Sequence, residues 1–115
     1  MKLSLAVLKD GAVVESALLC WSPKLYNRIV PKRKPERLKK VSGKMWGIDE
    51  TNRDSFVEFV NEKMEDHANE TGLNLQECST YFSIVGIASR YLKDHSVNWV
   101  LFLGREELEK GVVLA

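Results

Sequence analysis

Residues 2–21 read Lys2-Leu-Ser-Leu-Ala-Val-Leu-Lys-Asp10-Gly11-Ala-Val-Val-Glu-Ser-Ala-Leu-Leu-Cys-Trp21, and the class of fold turns on them. Leu3, Leu5 and Val7 alternate with Ser4, Ala6 and Leu8, which is the period of a strand. Asp10-Gly11 supplies the two positive φ angles of a tight hairpin turn at low steric cost. Ala12 to Trp21 is then the returning strand, and Ser22-Pro23 ends it, because proline cannot donate to a ladder. Both strands are apolar on both faces, so the hairpin is expected inside a sheet that is covered on each side.

Strand character returns only at the other end, in Val97-Asn-Trp-Val-Leu-Phe-Leu103, closed by Gly104. Glu106 to Lys110 reads as a turn or one helical turn, and Val112 to Ala115 as a short last strand. Between the two strand regions the period changes to that of helices. A helix is predicted from about Asn52 to Thr71, with Thr51 or Asp54 to cap its start and Gly72 at the left-handed cap position. Phe56, Val57, Val60, Met64, His67 and Thr71 share its apolar face. A second helix is predicted from about 75 to 93. Asn74 and Glu77 have capping-box spacing, and Leu75, Cys78, Tyr81, Phe82, Val85, Ala88 and Leu92 form its core face. Ile84-Val85 and Gly86 give residues 79–88 a competing strand reading.

The segment 22–47 is read as a basic loop. Lys24 to Val30 fits neither period, and the prolines at 31 and 35 disfavour helix just before themselves. Pro35 suits the first position of a short helix to about Val41. Met45 and Trp46 are expected to tuck onto the core. The predicted class is α+β: a small, mostly antiparallel sheet, made of the N-terminal hairpin and C-terminal strands, with two helices packed on one face. At 115 residues with 44% hydrophobic side chains, one domain over 1–115 can bury a core without metal or disulfide staples. Cys20 and Cys78 have no zinc spacing and make no disulfide framework. They are read as buried thiols of a reducing compartment, with a single Cys20–Cys78 bridge as the alternative. No segment approaches the length of a membrane span, and Lys9-Asp10 interrupts the only apolar run resembling a signal peptide. The expected location is cytoplasmic. Pro31-Lys-Arg-Lys resembles part of a nuclear import signal, which applies in a eukaryote.

Net charge is +1, but it is divided along the chain. From Lys24 to Lys44 there are nine Lys or Arg and one acid, Glu36. From Asp49 to Glu77 there are nine acids and two bases, Arg53 and Lys63. The basic half supports the leading expectation, a nucleic-acid backbone (DNA or RNA) gripped through residues 24–44. Lys32, Arg33, Lys34, Arg37, Lys39 and Lys40 would contact phosphates, with Tyr26 and Trp46 stacking on bases or supporting the loop. Against it stands the plainer reading of a solvated loop, or one paired with the acidic helix. The acidic half supports the alternative, a protein–protein adaptor or inhibitor of the phage or mobile-element kind. Glu58, Glu62, Asp66 and Glu70 recur every fourth residue and form one stripe about 18 Å long. Like charges at that spacing each cost a few tenths of a kcal/mol. The stripe would engage a charged partner, or residues 32–40 of a second copy in a homodimer held by charge pairing. Its plainer reading is the solvent face of an amphipathic helix.

No catalytic, cofactor or metal site is expected. The chain has no phosphate-binding loop, no Gly-x-Gly-x-x-Gly, no Gly-x-Ser-x-Gly and no Cys-x-x-Cys. His67 lies on the apolar helix face and is read as a hydrogen-bonded, partly buried side chain. Acid–base chemistry with His95 would need the two rings close together, which nothing in the sequence requires. Glu65, Asp66, His67 and Glu70 point around the helix in different directions and do not form a ligand set.

Overall fold

The computed structural model of the chain describes residues 3–20, 23–30, 37–42, 45–94, 97–103 and 109–113. The N-terminal hairpin is as the sequence predicts. β1 (Leu3–Lys9) pairs antiparallel with β2 (Ala12–Cys20), and Asp10 and Gly11 both take positive φ, 52° and 81°. Extra residues at Val14 and Leu19 of β2 bulge the ladder, which adds twist to the edge. The described parts of the segment predicted as a loop, 23–30, 37–42 and 45–47, are mostly regular structure. Lys24–Val30 belongs mostly to α1 (Pro23–Ile29), whose Leu25 and Ile29 are buried one turn apart. The helix expected from Pro35 to Val41 is overturned: Lys39–Ser42 is β3, paired with β4 (Met45–Ile48). Alternation across these four-residue strands is too brief to register as a period, and lysines occupy half of β3. Met45 and Trp46 are half-buried against the core, as expected.

α2 (Arg53–Thr71) and α3 (Leu75–Asp94) follow the predicted helices to within a residue. Asn52, rather than Thr51 or Asp54, stands at the N-cap position of α2, without a side-chain cap bond. The Asp49 carboxylate instead accepts the Thr51 and Asn52 N–H groups at 2.8 and 3.3 Å. Gly72, at φ 77°, ends α2, and its N–H donates to the Ala68 carbonyl. The capping box of α3 is complete: the Asn74 N–H donates to Glu77 Oε1 at 3.2 Å, and the Glu77 N–H donates to Asn74 Oδ1 at 2.8 Å.

The face that α3 buries is rotated from the predicted one. Tyr81, Ile84, Ala88 and Leu92 face the core, whereas Leu75 and Phe82 face outward. On α2, Phe59 joins Phe56, Val60 and His67 inside, and Thr71 is exposed.

β5 (Trp99–Leu103) enters between the two hairpins and joins them into one antiparallel sheet of order β2-β1-β5-β4-β3. The outer edge of β2 is tied at Val13, which exchanges backbone bonds with Gly111 and Val112, and Ala12 bridges Val113. Leu5, Val7, Ile48, Val100 and Phe102 on one face meet α1, α2 and α3 in the main core, where Phe56 packs on Phe102 with ring centroids 4.9 Å apart. Ala6, Leu8, Val13, Leu101 and Leu103 form a second buried cluster on the opposite face. β1 is thus covered on both sides, whereas β2 is an edge strand in which Val14 and Leu18 are exposed, which corrects the expectation that the whole hairpin lies inside a covered sheet. Gly47 is part of this fit: a Cβ there would lie 2.7 Å from the Val100 carbonyl oxygen.

Candidate functional site

The basic segment is only partly described, and of its described cations Arg28, Arg37 and Lys39 are engaged within the fold. Lys32, Arg33 and Lys34 lie outside the described residues. Arg37, at φ 61°, carries its guanidinium 3.2 Å from Ser55 Oγ and 3.3 Å from the Ser55 carbonyl oxygen, at the first turn of α2. Its own carbonyl accepts the Asn52 side-chain amide at 3.0 Å. The Lys39 ammonium lies 3.3 Å from Asp49 and also donates to Thr51 Oγ1. Partial burial pushes the Asp49 carboxyl up. Hydrogen bonds from the Thr51 side chain and backbone and from Lys39 outweigh it, and the group sits below its ordinary range. Lys40 is exposed on the edge strand β3. Tyr26 and Trp46, the candidate stacking side chains, are half-buried and packed against the main core. Burial raises the Tyr26 phenol above its ordinary value.

The acidic stripe stands free along most of its length. Glu58, Glu62, Asp66 and Glu70 are all exposed on α2, whose opposite side is anchored by Phe56, Phe59 and Val60. Glu70, at the end of the stripe, meets Arg28 of α1 at 2.5 Å. The hydrogen bond and charge of that guanidinium hold the Glu70 carboxyl below its ordinary range. Glu58, Glu62 and Asp66 form no ion pair among the described residues. Lys63, the base nearest in sequence, lies over the Phe59 ring, 5.2 Å from its centroid. Among the described residues the two charged halves of the sequence meet near the ends of α2, Lys39 with Asp49 before its start and Arg28 with Glu70 at its finish, and Arg37 hydrogen-bonds Ser55 in its first turn.

His67 is buried between α2 and α3, with Nδ1 3.0 Å from the Tyr81 hydroxyl and Nε2 3.1 Å from Glu77 Oε2. Burial lowers its pKa and the cations Arg28 and Lys24 add to this; Glu77 and Glu70 oppose it. The ring is enclosed and acts as a strut between helices. His95, and with it the pairing with His67, lies outside the described residues. Glu65 and Asp66 point to solvent while His67 points inward. The Cys78 thiol is free and only half-buried, which corrects its reading as a core thiol; the Cys20 side chain is outside the described residues.

Two features escaped the sequence reading. The Arg28–Glu70 pair joins residues 42 positions apart and leaves no local pattern. The outward face of α3, with Leu75, Phe82 and Gly86, was hidden because Leu75, Cys78, Phe82 and Tyr81, Ile84, Ala88, Leu92 are two apolar sets at equally good helical spacing. Against protein-family models, curated proteins and solved structures, the chain has no match. Among the described residues, no helix is long and apolar enough to cross a membrane.

Proposed function

We propose that this protein is a small binding domain that engages a partner protein of basic surface through Glu58, Glu62 and Asp66 of α2. One observation carries the reading. Three carboxylates stand one turn apart on a helix pinned to the core, exposed and without an ion pair among the described residues, while the charges at both ends of the same helix are matched. Repulsion along such a row opposes helix stability by a few tenths of a kcal/mol per pair. A basic partner converts that repulsion into attraction and steers encounter. Affinity capture with the wild-type chain and with an E58K/E62K/D66K variant as baits tests it. A partner held by the wild type and lost by the variant, with unchanged thermal melts, is the expected outcome. Equal retention of every captured protein by both baits would reduce the stripe to ordinary surface.

The nucleic-acid reading keeps a second place on the density of cations between Lys24 and Lys44, of which Lys24, Arg37, Lys39 and Lys40 are exposed. It loses weight because Arg37 and Lys39 are already occupied. Fluorescence anisotropy with single-stranded and duplex oligonucleotides separates the two readings. A log–log salt slope of about 4 or more would report several phosphate contacts and restore it. Absence of binding at low salt removes it.

A further inference from the structure

A pocket of about 240 Å³ lies between the β1–β2 hairpin and α3. Val7 and Lys9 of β1, Val14 and Glu15 of β2, Tyr91 of α3, and Val97 line it. None of these belongs to the α2 stripe or to the basic segment. Val7 and Val97 are buried in the main core and form the apolar floor. Successive side chains of a strand point to opposite faces, but Val14 and Glu15 are successive and both line the pocket. The bulge explains this. Val14 is the residue of β2 left without a partner between the pairs Val7 with Glu15 and Leu8 with Val13. A bulge re-aims side chains, and this one brings an apolar and a charged neighbour to the same concave space.

Two opposite charges stand at the mouth. Lys9 and Glu15 are both exposed. Lys9 is two residues beyond Val7 and Glu15 is opposite Val7, so they are diagonal neighbours on one face, about 7–8 Å apart. Their side chains are long enough to close that gap, but neither forms an ion pair among the described residues. Glu15 is held by Tyr91 instead, whose hydroxyl donates to its carboxylate. That bond first, and burial second, raise the Tyr91 phenol above its ordinary value. A carboxylate has about four acceptor positions, so one donor leaves Glu15 with capacity to spare.

We propose that this pocket binds a small α-amino acid with an apolar side chain. Its ammonium donates to Glu15, its carboxylate accepts from Lys9, and its side chain lies on Val7 and Val97. The charges of the ligand answer those of the protein one for one, so none enters the pocket unpaired. A simple amine satisfies Glu15 alone, and a fatty acid satisfies Lys9 alone. Size points the same way. The pocket has the liquid volume of about eight waters, which suits an amino acid and is too small for a nucleotide or a peptide.

Titration of the isotope-labelled full chain with L-leucine to about 10 mM, followed by amide NMR spectra, tests the proposal, since a millimolar ligand is then close to saturation. The amides of Val7, Lys9, Glu15, Tyr91 and Val97 are expected to shift and to saturate together. Glu15→Gln, which keeps an acceptor for Tyr91, and Lys9→Gln each weaken binding at least tenfold while the circular dichroism stays that of the wild type. Isoamylamine and isocaproate, which are leucine without its carboxylate and without its amine, also bind at least tenfold more weakly. No shift at these amides by the end of the titration overturns the proposal. So does binding that neither substitution weakens. Isoamylamine or isocaproate bound as tightly as leucine overturns it as well, because only one of the two charges would then be in use.

Discussion

His67 has only one neutral arrangement that satisfies its surroundings. Ionised Glu77 can only accept, so Nε2 carries the proton and donates to it; Nδ1 is then the acceptor, and the Tyr81 hydroxyl donates to it. Tyr81→Phe leaves that buried nitrogen unpartnered and should cost about 1–3 kcal/mol in urea denaturation. The same enclosure sets a pH dependence. The folded state holds the His67 pKa below its ordinary value, so the unfolded chain takes up the proton first. Stability is full above about pH 6.5, falls as the pH drops below it, and flattens once the lowered folded value is passed. The groups facing the ring from α1, α2 and α3 are Lys24, Arg28, Glu70, Glu77 and Tyr81. Chemical denaturation at a series of pH values should show that slope in the wild type and lose it in His67→Gln. Ser4 offers the opposite sign. Its hydroxyl is fully buried and has no hydrogen-bond partner among the described residues. Ser4→Ala removes an unpaired polar atom and should leave the protein as stable or more so, by up to about 1 kcal/mol. A measured loss of more than that would mean the hydroxyl has a partner.

The elements differ in how plainly the sequence announces them, and the difference has physical causes. The β1–β2 hairpin was legible because a two-residue turn of defined φ sits between alternating apolar residues. α2 and α3 were legible because a glycine cap and a capping box bracket long periodic segments. α1, β3 and β4 were not: seven- and four-residue elements owe their conformation to what they pack on, and Lys39 and Lys40 look like loop until Gly47 lets β4 lie against β5. Gly47→Ala pushes a Cβ onto the Val100 carbonyl and Leu101 and should cost about 1–3 kcal/mol or more. Gly86→Ala, with open space around it, should gain up to about 1 kcal/mol. A comparison of the two melts checks that one glycine is required by packing and the other is not. The stripe on α2 was legible as a pattern; whether its charges were already matched was not, since Arg28 comes from another element. Glu62→Lys replaces two repulsions with two attractions and should raise stability by about 0.5–1 kcal/mol in the isolated protein. A variant that is more stable yet deficient in partner capture would separate the helix's structural needs from its binding role.

At the scale of the whole molecule, the two charged halves of the sequence neither cancel nor part. Among the described residues they pair at both ends of α2, and Glu58, Glu62 and Asp66 between those ends are exposed. The sheet, in turn, has a single shared member: β5 is bonded to β1 on one side and to β4 on the other. The two hairpins therefore gain or lose their joint ladder together, and unfolding should be one cooperative transition. Thermal melts followed by far-ultraviolet circular dichroism and by tryptophan fluorescence, which reports Trp46 on β4 and Trp99 on β5 together with Trp21, should coincide; Leu101→Ala, at a fully buried site, should lower both by the same amount, equivalent to about 2–5 kcal/mol. That central place for a late strand also bears on how the protein is made. A ribosome delivers β1, β2, β3 and β4 before residues 99–103, so until then either hairpin, where it forms, has an inner edge unpaired and no strand between it and the other. Such edges invite pairing with other chains. The fifth strand to emerge is the one that seals them, and the interval before it does is when this polypeptide most needs a chaperone.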